Sequence, residues 1–146
     1  MQNKFKTMER KLVLSRLKTP DGTILVSRHV HDFVTHKDAV TGEVYILDGG
    51  KDYRRESFNN VPGEDVSIYS DESFDVIREV LERGTFDKDG NRIWKPICEL
   101  TDSHLKNILE YNKDRGMDDS DFSKYIRMEI KYRQDHMISI PDSEYV

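Results

Sequence analysis

Apolar and polar positions alternate along much of the first fifty residues, and this alternation predicts β-strands. The first strand covers residues 11–17 and ends at a turn over 19–23, where proline and glycine suit tight-turn positions. A second strand is expected over 24–35 and a third over 43–47, before the turn sequence that begins at Asp48. The pattern therefore predicts a three-stranded antiparallel meander.

The second half of the chain shows apolar residues three and four positions apart, which is typical of helices. Ser70 and Asp71 can cap a first helix, whose apolar stripe runs to Leu81. Gly84 is expected at the C′ position of that helix. After it, residues 85–97 predict a β-hairpin that closes over 87–91.

Two more helices are expected near the C-terminus. Thr101 and Asp102 can cap one that ends near Gly116, and residues 119–121 can cap the other. The last helix carries a stripe at helical spacing, made of Phe122, Tyr125, Ile126, Glu129, Ile130 and Arg133. A meander followed by a helix, a hairpin and two helices indicates an α+β fold. We predict one domain over 1–146, with a β-rich submodule over 9–56, a helical part over 66–136 and a mobile tail over 137–146.

Composition narrows the class of protein. The chain has 146 residues, with 23 Lys and Arg against 28 Asp and Glu, so its formal net charge is −5. Cys98 is the only cysteine and cannot form an internal disulfide, which favours a reducing compartment. No apolar run approaches a membrane span, and no signal peptide is recognised. These features predict a cytoplasmic protein with no membrane partner.

Residues 28–36 contain three histidines and an aspartate close together in the sequence. On a strand, His29 and His31 would project from the same face and could both bind a metal. His36, Asp48 and Asp52 are the candidates for further ligands. A pair of histidines without a third one downstream is also typical of an ordinary strand face, and we expect no metal; if one binds, its histidines are His29, His31 and His36.

Residues 48–55 form a second feature, in which paired glycines precede two arginines. Paired glycines allow a sharp turn or a close approach to a ligand, and Arg54 with Arg55 could bind an anion. The sequence does not match a phosphate-binding loop. We favour a tight turn with a solvated basic flank over an anion site.

Residues 27–34 and 47–55 together resemble a family of small uncharacterised proteins from tailed bacteriophages, including T-even-type phages, that carry an HRHDFV…VDGG.DYLRR motif. The resemblance covers residues 14–55. Many members have paired cysteines before and inside this motif, which implies a zinc-ribbon-like module. Here residues 19–22 and 36–42 stand where those cysteines are expected, so the resemblance implies a zinc-ribbon-like meander without metal.

The resemblance implies a phage gene product that acts in the host cytoplasm, and it implies no catalytic role. The residues of its motif are the candidate binding residues: Arg28, His29, His31, Asp32, Asp48, Asp52, Tyr53 and Arg54.

Three functions remain open from the sequence. The first is an accessory protein that binds a host protein or a small ligand, without a cofactor and without catalysis. The second is a metal-assisted phosphoester hydrolase built on His29 and His31, with a bound water activated by the metal. The third is a nucleic-acid-binding module, because residues 1–37 carry eight Lys and Arg against three Asp and Glu. Its basic residues would be Arg10, Lys11, Arg16, Lys18, Arg28, Arg54 and Arg55.

Overall fold

A computed structural model describes residues 10–142. The chain divides after Ser73 into two compact units, here called the N-terminal unit and the C-terminal unit. The N-terminal unit contains the strands β1 (Leu12–Lys18), β2 (Ile24–Ser27), β3 (Phe33–Lys37), β4 (Val44–Asp48), β5 (Arg55–Ser57), β6 (Glu64–Asp65) and β7 (Ile68–Tyr69). The C-terminal unit contains α1 (Phe74–Val80), β8 (Glu82–Phe86), β9 (Arg92–Pro96), a 3₁₀ turn (Ile97–Glu99), α2 (Asp102–Asp114) and α3 (Asp121–His136). The α+β class predicted from the sequence is confirmed.

Two small antiparallel sheets build the N-terminal unit. In the first, β1 pairs with β2, β6 and β7, and in the second the order is β3-β4-β5. One cluster of buried side chains joins them and contains Leu17, Leu25, Tyr45 and Leu47, with Val34 packed against it. Both sheets contribute to this cluster because alternate residues of each strand point to the same side. Tyr45 also donates its hydroxyl to the carbonyl of Val61 at 2.7 Å.

The run predicted as one strand over 24–35 is two strands, separated by a turn over 28–32. The Asp32 carboxylate accepts the backbone N–H of Arg28 at 2.7 Å, and the Asp32 N–H donates to the carbonyl of His29 at 2.9 Å. A short polar side chain that binds nearby backbone favours a turn over a continuous strand. The N-terminal unit therefore has two hairpins where the sequence predicted a meander of three strands, and the unit extends to Ser73.

The C-terminal unit follows the predicted order of helix, hairpin and two helices. Thr101 accepts the N–H of His104, and Ser120 accepts the N–H of Ser123, as expected for N-caps. The core side chains are Ile77, Leu81, Ile97, Leu100, Leu105, Ile108 and Ile126.

Gly84 does not end the first helix, as the sequence had predicted. Helix α1 ends at Val80, and Gly84 lies in β8 opposite Trp94. A Cβ atom at this position would lie 2.6 Å from the Arg92 guanidinium, so the absent side chain makes room for that arginine.

The segment predicted as a mobile tail is attached to α2 in its described part. Asp102 donates its N–H to the carbonyl of Ile140 at 2.9 Å, and its carboxylate accepts the N–H of Ile140 at 3.1 Å. Ser103 donates to the carboxylate of Asp142 at 2.7 Å. The first N–H groups of a helix have no partner within it, and the tail satisfies one of them here. Residues 143–146 lie outside the described residues.

Candidate binding surface

The motif of residues 27–34 and 47–55 folds into a corner of the N-terminal unit. The N–H of Gly50 donates to the Ser27 hydroxyl at 2.9 Å, and that hydroxyl donates to the carbonyl of Asp32 at 2.8 Å. Ser27 is buried, so these bonds hold the turn over 28–32 against the glycine pair. Much of the motif therefore serves to hold two segments of the chain together.

The paired glycines allow these segments to approach closely. Gly49 and Gly50 both have positive φ angles, of 88° and 59°. A Cβ atom on Gly50 would lie 2.6 Å from the backbone of His29, and one on Gly49 would lie 1.8 Å from the carbonyl oxygen of Tyr53. The sequence analysis allowed a close approach of the glycines to a ligand. In the structure the two glycines instead lie close to the protein's own backbone.

The histidines do not occupy the positions that the metal hypothesis requires. His29 and His31 lie in the turn over 28–32, so they do not share a strand face. Within residues 10–142, the one group of three potential ligands with atoms within 4.8 Å of one another is Asp21, His36 and Asp38. Only His36 of the predicted histidines belongs to it.

The two turns around Asp21 and Asp38 are tied together by carboxylates. Asp38 accepts the N–H of Asp21 at 2.8 Å, and Asp21 accepts the N–H of Ala39 at 2.9 Å and lies 2.8 Å from Nε2 of His36. The other Asp38 oxygen accepts the N–H groups of Val40 and Thr41. Hydrogen bonds therefore join the segments 19–22 and 36–42.

The pKa values of both carboxyl groups reflect these donors. The Ala39 N–H, followed by His36, holds the pKa of Asp21 well below its usual range. Burial raises the pKa of Asp38, but the N–H groups of Thr41 and Asp21 act against it and leave the pKa lowered. Because the lone pairs of both carboxylates are used by N–H and O–H donors, a cation would have to displace existing hydrogen bonds.

The two arginines at 54 and 55 have different surroundings. Arg54 is half-buried and donates to Glu56 at 2.9 Å and to the carbonyl of Arg16 at 3.3 Å, so it links β5 to β1. Arg55 is exposed and forms a two-point ion pair with Asp48, with distances of 3.2 and 2.9 Å. This pair lowers the pKa of Asp48 and raises that of Arg55. Arg55, more than Arg54, is therefore placed to meet an anion.

The outward side of the sheet β3-β4-β5 carries the exposed side chain of Phe33, and this side, together with the adjoining Tyr53, is here called the outer face. The register places Phe33, Asp48 and Arg55 in one row across the three strands. The next rows contain Thr35, Ile46 and Ser57, and then Lys37 and Val44. Phe33 is 67% exposed, and Val44 is also exposed.

Beside this first row lies a shallow depression of about 180 Å³, lined by Val30, Asp48, Gly49, Tyr53 and Arg55. Tyr53 is 72% exposed. Of the predicted binding residues, Asp48 and Tyr53 therefore border this surface, whereas Arg54 lies inside the unit and Asp32 holds the turn. Asp52 is exposed and pairs with Lys51 at 3.3 Å. Arg55, which the sequence analysis considered for anion and nucleic-acid binding, belongs to this surface, and so does Phe33, which the sequence analysis did not select.

The exposed aromatic residues of the two units differ in whether another side chain stacks on them. In the C-terminal unit, Arg92 lies over Phe86 and Arg115 lies over Tyr111 at 3.6 Å. Between residues 10 and 142, no ring or arginine stacks on Phe33 or Tyr53. Exposed aromatic side chains without an internal partner are a common feature of binding surfaces.

The remaining nucleophile and acid–base candidates lie in the C-terminal unit. Burial raises the pKa of the Cys98 thiol, which disfavours the reactive thiolate. Burial likewise lowers the pKa of His104. A third group, Glu129, is fully buried between Arg78 and Arg133 at 2.8 Å from each. The sequence placed Glu129 and Arg133 on one helical stripe, but their partner Arg78 lies 51 residues from Glu129.

Comparisons with protein families, curated proteins and solved structures find no match. Among residues 10–142, no helix has both the length and the apolar composition needed to cross a membrane.

Proposed function

We propose that this protein acts by binding a macromolecular partner through the outer face, without catalysing a reaction. The observation that carries the proposal is the exposure of Phe33 and Tyr53, with no internal stacking partner among residues 10–142, beside the Asp48–Arg55 ion pair. Aromatic and arginine side chains are the residue types that contribute most to protein interfaces.

A macromolecule suits this surface better than a small ligand does. The depression beside Tyr53 measures about 180 Å³. Pockets for small molecules are usually about 300–1,000 Å³ and enclose most of the ligand. The outer face, by contrast, extends over three strands and at least three rows of side chains.

The geometry gives less support to catalysis. The hydrolase hypothesis needs His29 and His31 on one strand face, and both lie in a turn. The group Asp21, His36 and Asp38 has its carboxylate oxygens occupied by hydrogen bonds. These bonds stabilise the fold and would have to break before a metal could bind a substrate water.

The phage resemblance and the single cysteine support a further part of the proposal. The protein acts in the cytoplasm of a bacterial host during infection, as an accessory protein encoded by a phage. Its partner is then a molecule present in the infected cell.

Affinity capture from such cells tests the proposal when variants are compared. The double variant Phe33→Ser/Tyr53→Ser removes the exposed aromatic residues of the outer face, and Phe86→Ser is the matched control in the C-terminal unit. Bound protein is identified by mass spectrometry and bound nucleic acid by sequencing. We expect one partner that the wild type and the control retain and the double variant loses. A partner retained by all three, or turnover of a phosphoester substrate, would contradict the proposal.

A further inference from the structure

Arg83 and Lys95 lie opposite each other in the β-hairpin of the C-terminal unit. The antiparallel register of β8 and β9 pairs the two residues directly, so their side chains lie on the same face of the hairpin. Both residues are half-buried, and part of each therefore reaches the solvent. Like charges directly opposite each other destabilise a pair of strands. A bound anion would remove this repulsion.

No carboxylate in the described part of the chain neutralises these two charges. Between residues 10 and 142, neither Arg83 nor Lys95 forms an ion pair. The Arg83 guanidinium lies 5.4 Å from the centre of the Phe122 ring, which carries no charge. By contrast, two other arginines in the interior of this unit share the carboxylate of Glu129. The hairpin thus holds two cations for which the unit supplies no counterion.

The environment of Arg83 is unfavourable for its charge. Burial lowers the pKa of the Arg83 guanidinium; Tyr111 acts against this effect and Arg92 adds to it. No carboxylate among residues 10–142 lies close enough to offset it. A partly buried cation without a counterion costs free energy, and such groups cluster at sites that bind ligands or substrates.

His104 adds a third polar group beside this pair. It lies in the first turn of α2 and is half-buried. Burial, and then the nearby charges of Arg83 and Lys95, hold the pKa of His104 below its usual range, while Asp142 acts against them. The imidazole is therefore neutral at neutral pH and can donate one ring N–H. The carboxylate of Asp142 accepts the hydroxyl of Ser103 at 2.7 Å.

We infer that Arg83, Lys95 and His104, here called the basic cluster, bind one phosphate group, either as free phosphate or as the monoester of a small molecule. A phosphate group carries close to two negative charges at neutral pH, which match the two cations. A guanidinium offers paired N–H donors to phosphate oxygens, and an ammonium adds a compact charge. The N-terminal end of α2 also favours an anion. Because the cluster spans one pair of residues and one helical turn, it holds a single phosphate group and not a chain of them.

NMR titration of the full-length protein with sodium phosphate tests this inference, with sodium chloride at the same ionic strength as the reference. We expect the Nε–H signal of Arg83 and the backbone N–H signal of Lys95 to shift and saturate with phosphate only. Bound phosphate should also raise the pKa of His104, read from its ring signals, because it offsets the two neighbouring positive charges. The titration is repeated with glycerol phosphate. Tighter binding than that of free phosphate would identify a monoester as the ligand, and weaker binding would identify free phosphate.

Variants of the basic cluster separate binding from folding. Arg83→Gln and Lys95→Gln should each weaken phosphate binding about tenfold, because each removes a charge-assisted hydrogen bond. Lys95→Arg keeps the charge and should retain binding. Lys95→Gln should not lower the unfolding temperature in chloride, because it relieves the repulsion across the hairpin. Lys88→Gln is the matched control, since Lys88 is exposed in the turn of the same hairpin, and it should bind phosphate as the wild type does.

Two results would overturn the inference. One is a set of phosphate shifts no larger than those in chloride, and the other is equal weakening of binding by Lys95→Gln and Lys88→Gln. The basic cluster lies in the C-terminal unit and shares no residue with the outer face. Failure of phosphate binding would therefore leave the proposed function standing, and failure of affinity capture would leave the basic cluster standing.

Discussion

The two units use charged side chains in opposite ways. In the N-terminal unit, Asp21 and Asp38 accept backbone N–H groups and thereby join two turns. In the C-terminal unit, the carboxylate of Glu129 is buried and binds two arginine side chains from different elements. The first arrangement fixes the backbone and leaves the side chains of one sheet face exposed. The second uses charged side chains to hold the helical interior together.

This difference indicates where a partner can bind. In the C-terminal unit an arginine lies over each of the exposed rings Phe86 and Tyr111, which stay 64% and 50% exposed. The rings of Phe33 and Tyr53 have no such cover within the part of the chain that the structure describes. We therefore expect the partner to bind where these unstacked rings lie, at the outer face.

The largest expected effect is on the interior of the C-terminal unit. Glu129→Gln removes the negative charge but keeps the size of the side chain, so Arg78 and Arg133 lose their shared counterion. We expect the free energy of unfolding to fall by about 3–5 kcal/mol. Trp94 is the only tryptophan, so its fluorescence in urea reports on this unit.

The control for this change is Asp135→Asn, which breaks the exposed pair between Lys131 and Asp135. It should alter the free energy of unfolding by less than about 0.5 kcal/mol. Equal effects of the two substitutions would show that the interior ion pairs do not stabilise the unit, and the contrast between the units would be lost.

The glycine pair provides the next test, in the N-terminal unit. Gly49→Ala adds a Cβ atom 1.8 Å from the carbonyl oxygen of Tyr53 at a positive φ angle. We expect a loss of about 3 kcal/mol or more, because the backbone must move. Gly42→Ala has a similar φ angle and open space around the new atom, so it should cost only about 1 kcal/mol.

Native-state hydrogen exchange of the amides in β1 and β4 measures the stability of both variants. The predicted losses correspond to exchange that is about 150 times faster for Gly49→Ala and about five times faster for Gly42→Ala. Similar rates in the two variants would mean that the corner at residues 49–53 is not a close backbone contact.

Acid should weaken the joint between the two turns. The folded pKa values of Asp21 and Asp38 lie below that of an unfolded aspartate, which is about 3.9. The stability from these groups is therefore complete above the unfolded pKa and is lost as pH falls below about 4. Asp21→Asn should reduce the dependence of N-terminal stability on pH between about 4 and 2.

Thermal unfolding followed by NMR signals of β3 and β4, at a series of pH values, provides the measurement. Asp52→Asn is the matched control, since Asp52 is exposed and its ion pair with the adjacent Lys51 lies at the surface. An Asp21→Asn curve that parallels the wild type would show that the carboxylate joint contributes no stability linked to protonation.

The smallest expected effect on stability is at the outer face itself. Phe33→Ser should change the free energy of unfolding by less than about 0.5 kcal/mol, because the ring lies mostly in solvent. The same variant should lose partner binding. A large loss of stability would mean that Phe33 belongs to the fold, and the outer face would then have to be redefined.

Much of the fold could be predicted because local signals were strong. Thr101 and Ser120 cap helices as their sequence positions indicated, and the hairpin over 85–97 has its expected turn. The break at 28–32 was missed because Val26, Val30 and Val34 keep a period of two through it. The polar residues Arg28 and Asp32 lie on the same side of that alternation and could have indicated a turn, because the Asp32 side chain binds the Arg28 backbone.

The candidate surface was only partly predictable. Asp48 and Tyr53 were selected from the motif, but the row that joins Phe33 to Arg55 depends on the register of three strands. The joint between Asp21 and Asp38 spans 17 residues and depends on two turns meeting in space. Contacts of this kind follow from tertiary packing, which a single sequence does not encode in its local pattern.

The most direct test of the central claim is photocrosslinking inside cells that express the protein. A benzoylphenylalanine at Thr35 lies in the middle of the outer face, and one at Tyr111 lies on α2 in the C-terminal unit. We predict that the probe at Thr35 crosslinks to one partner, that the probe at Tyr111 does not, and that Phe33→Ser abolishes the crosslink. A partner crosslinked from Tyr111 but not from Thr35 would contradict the account.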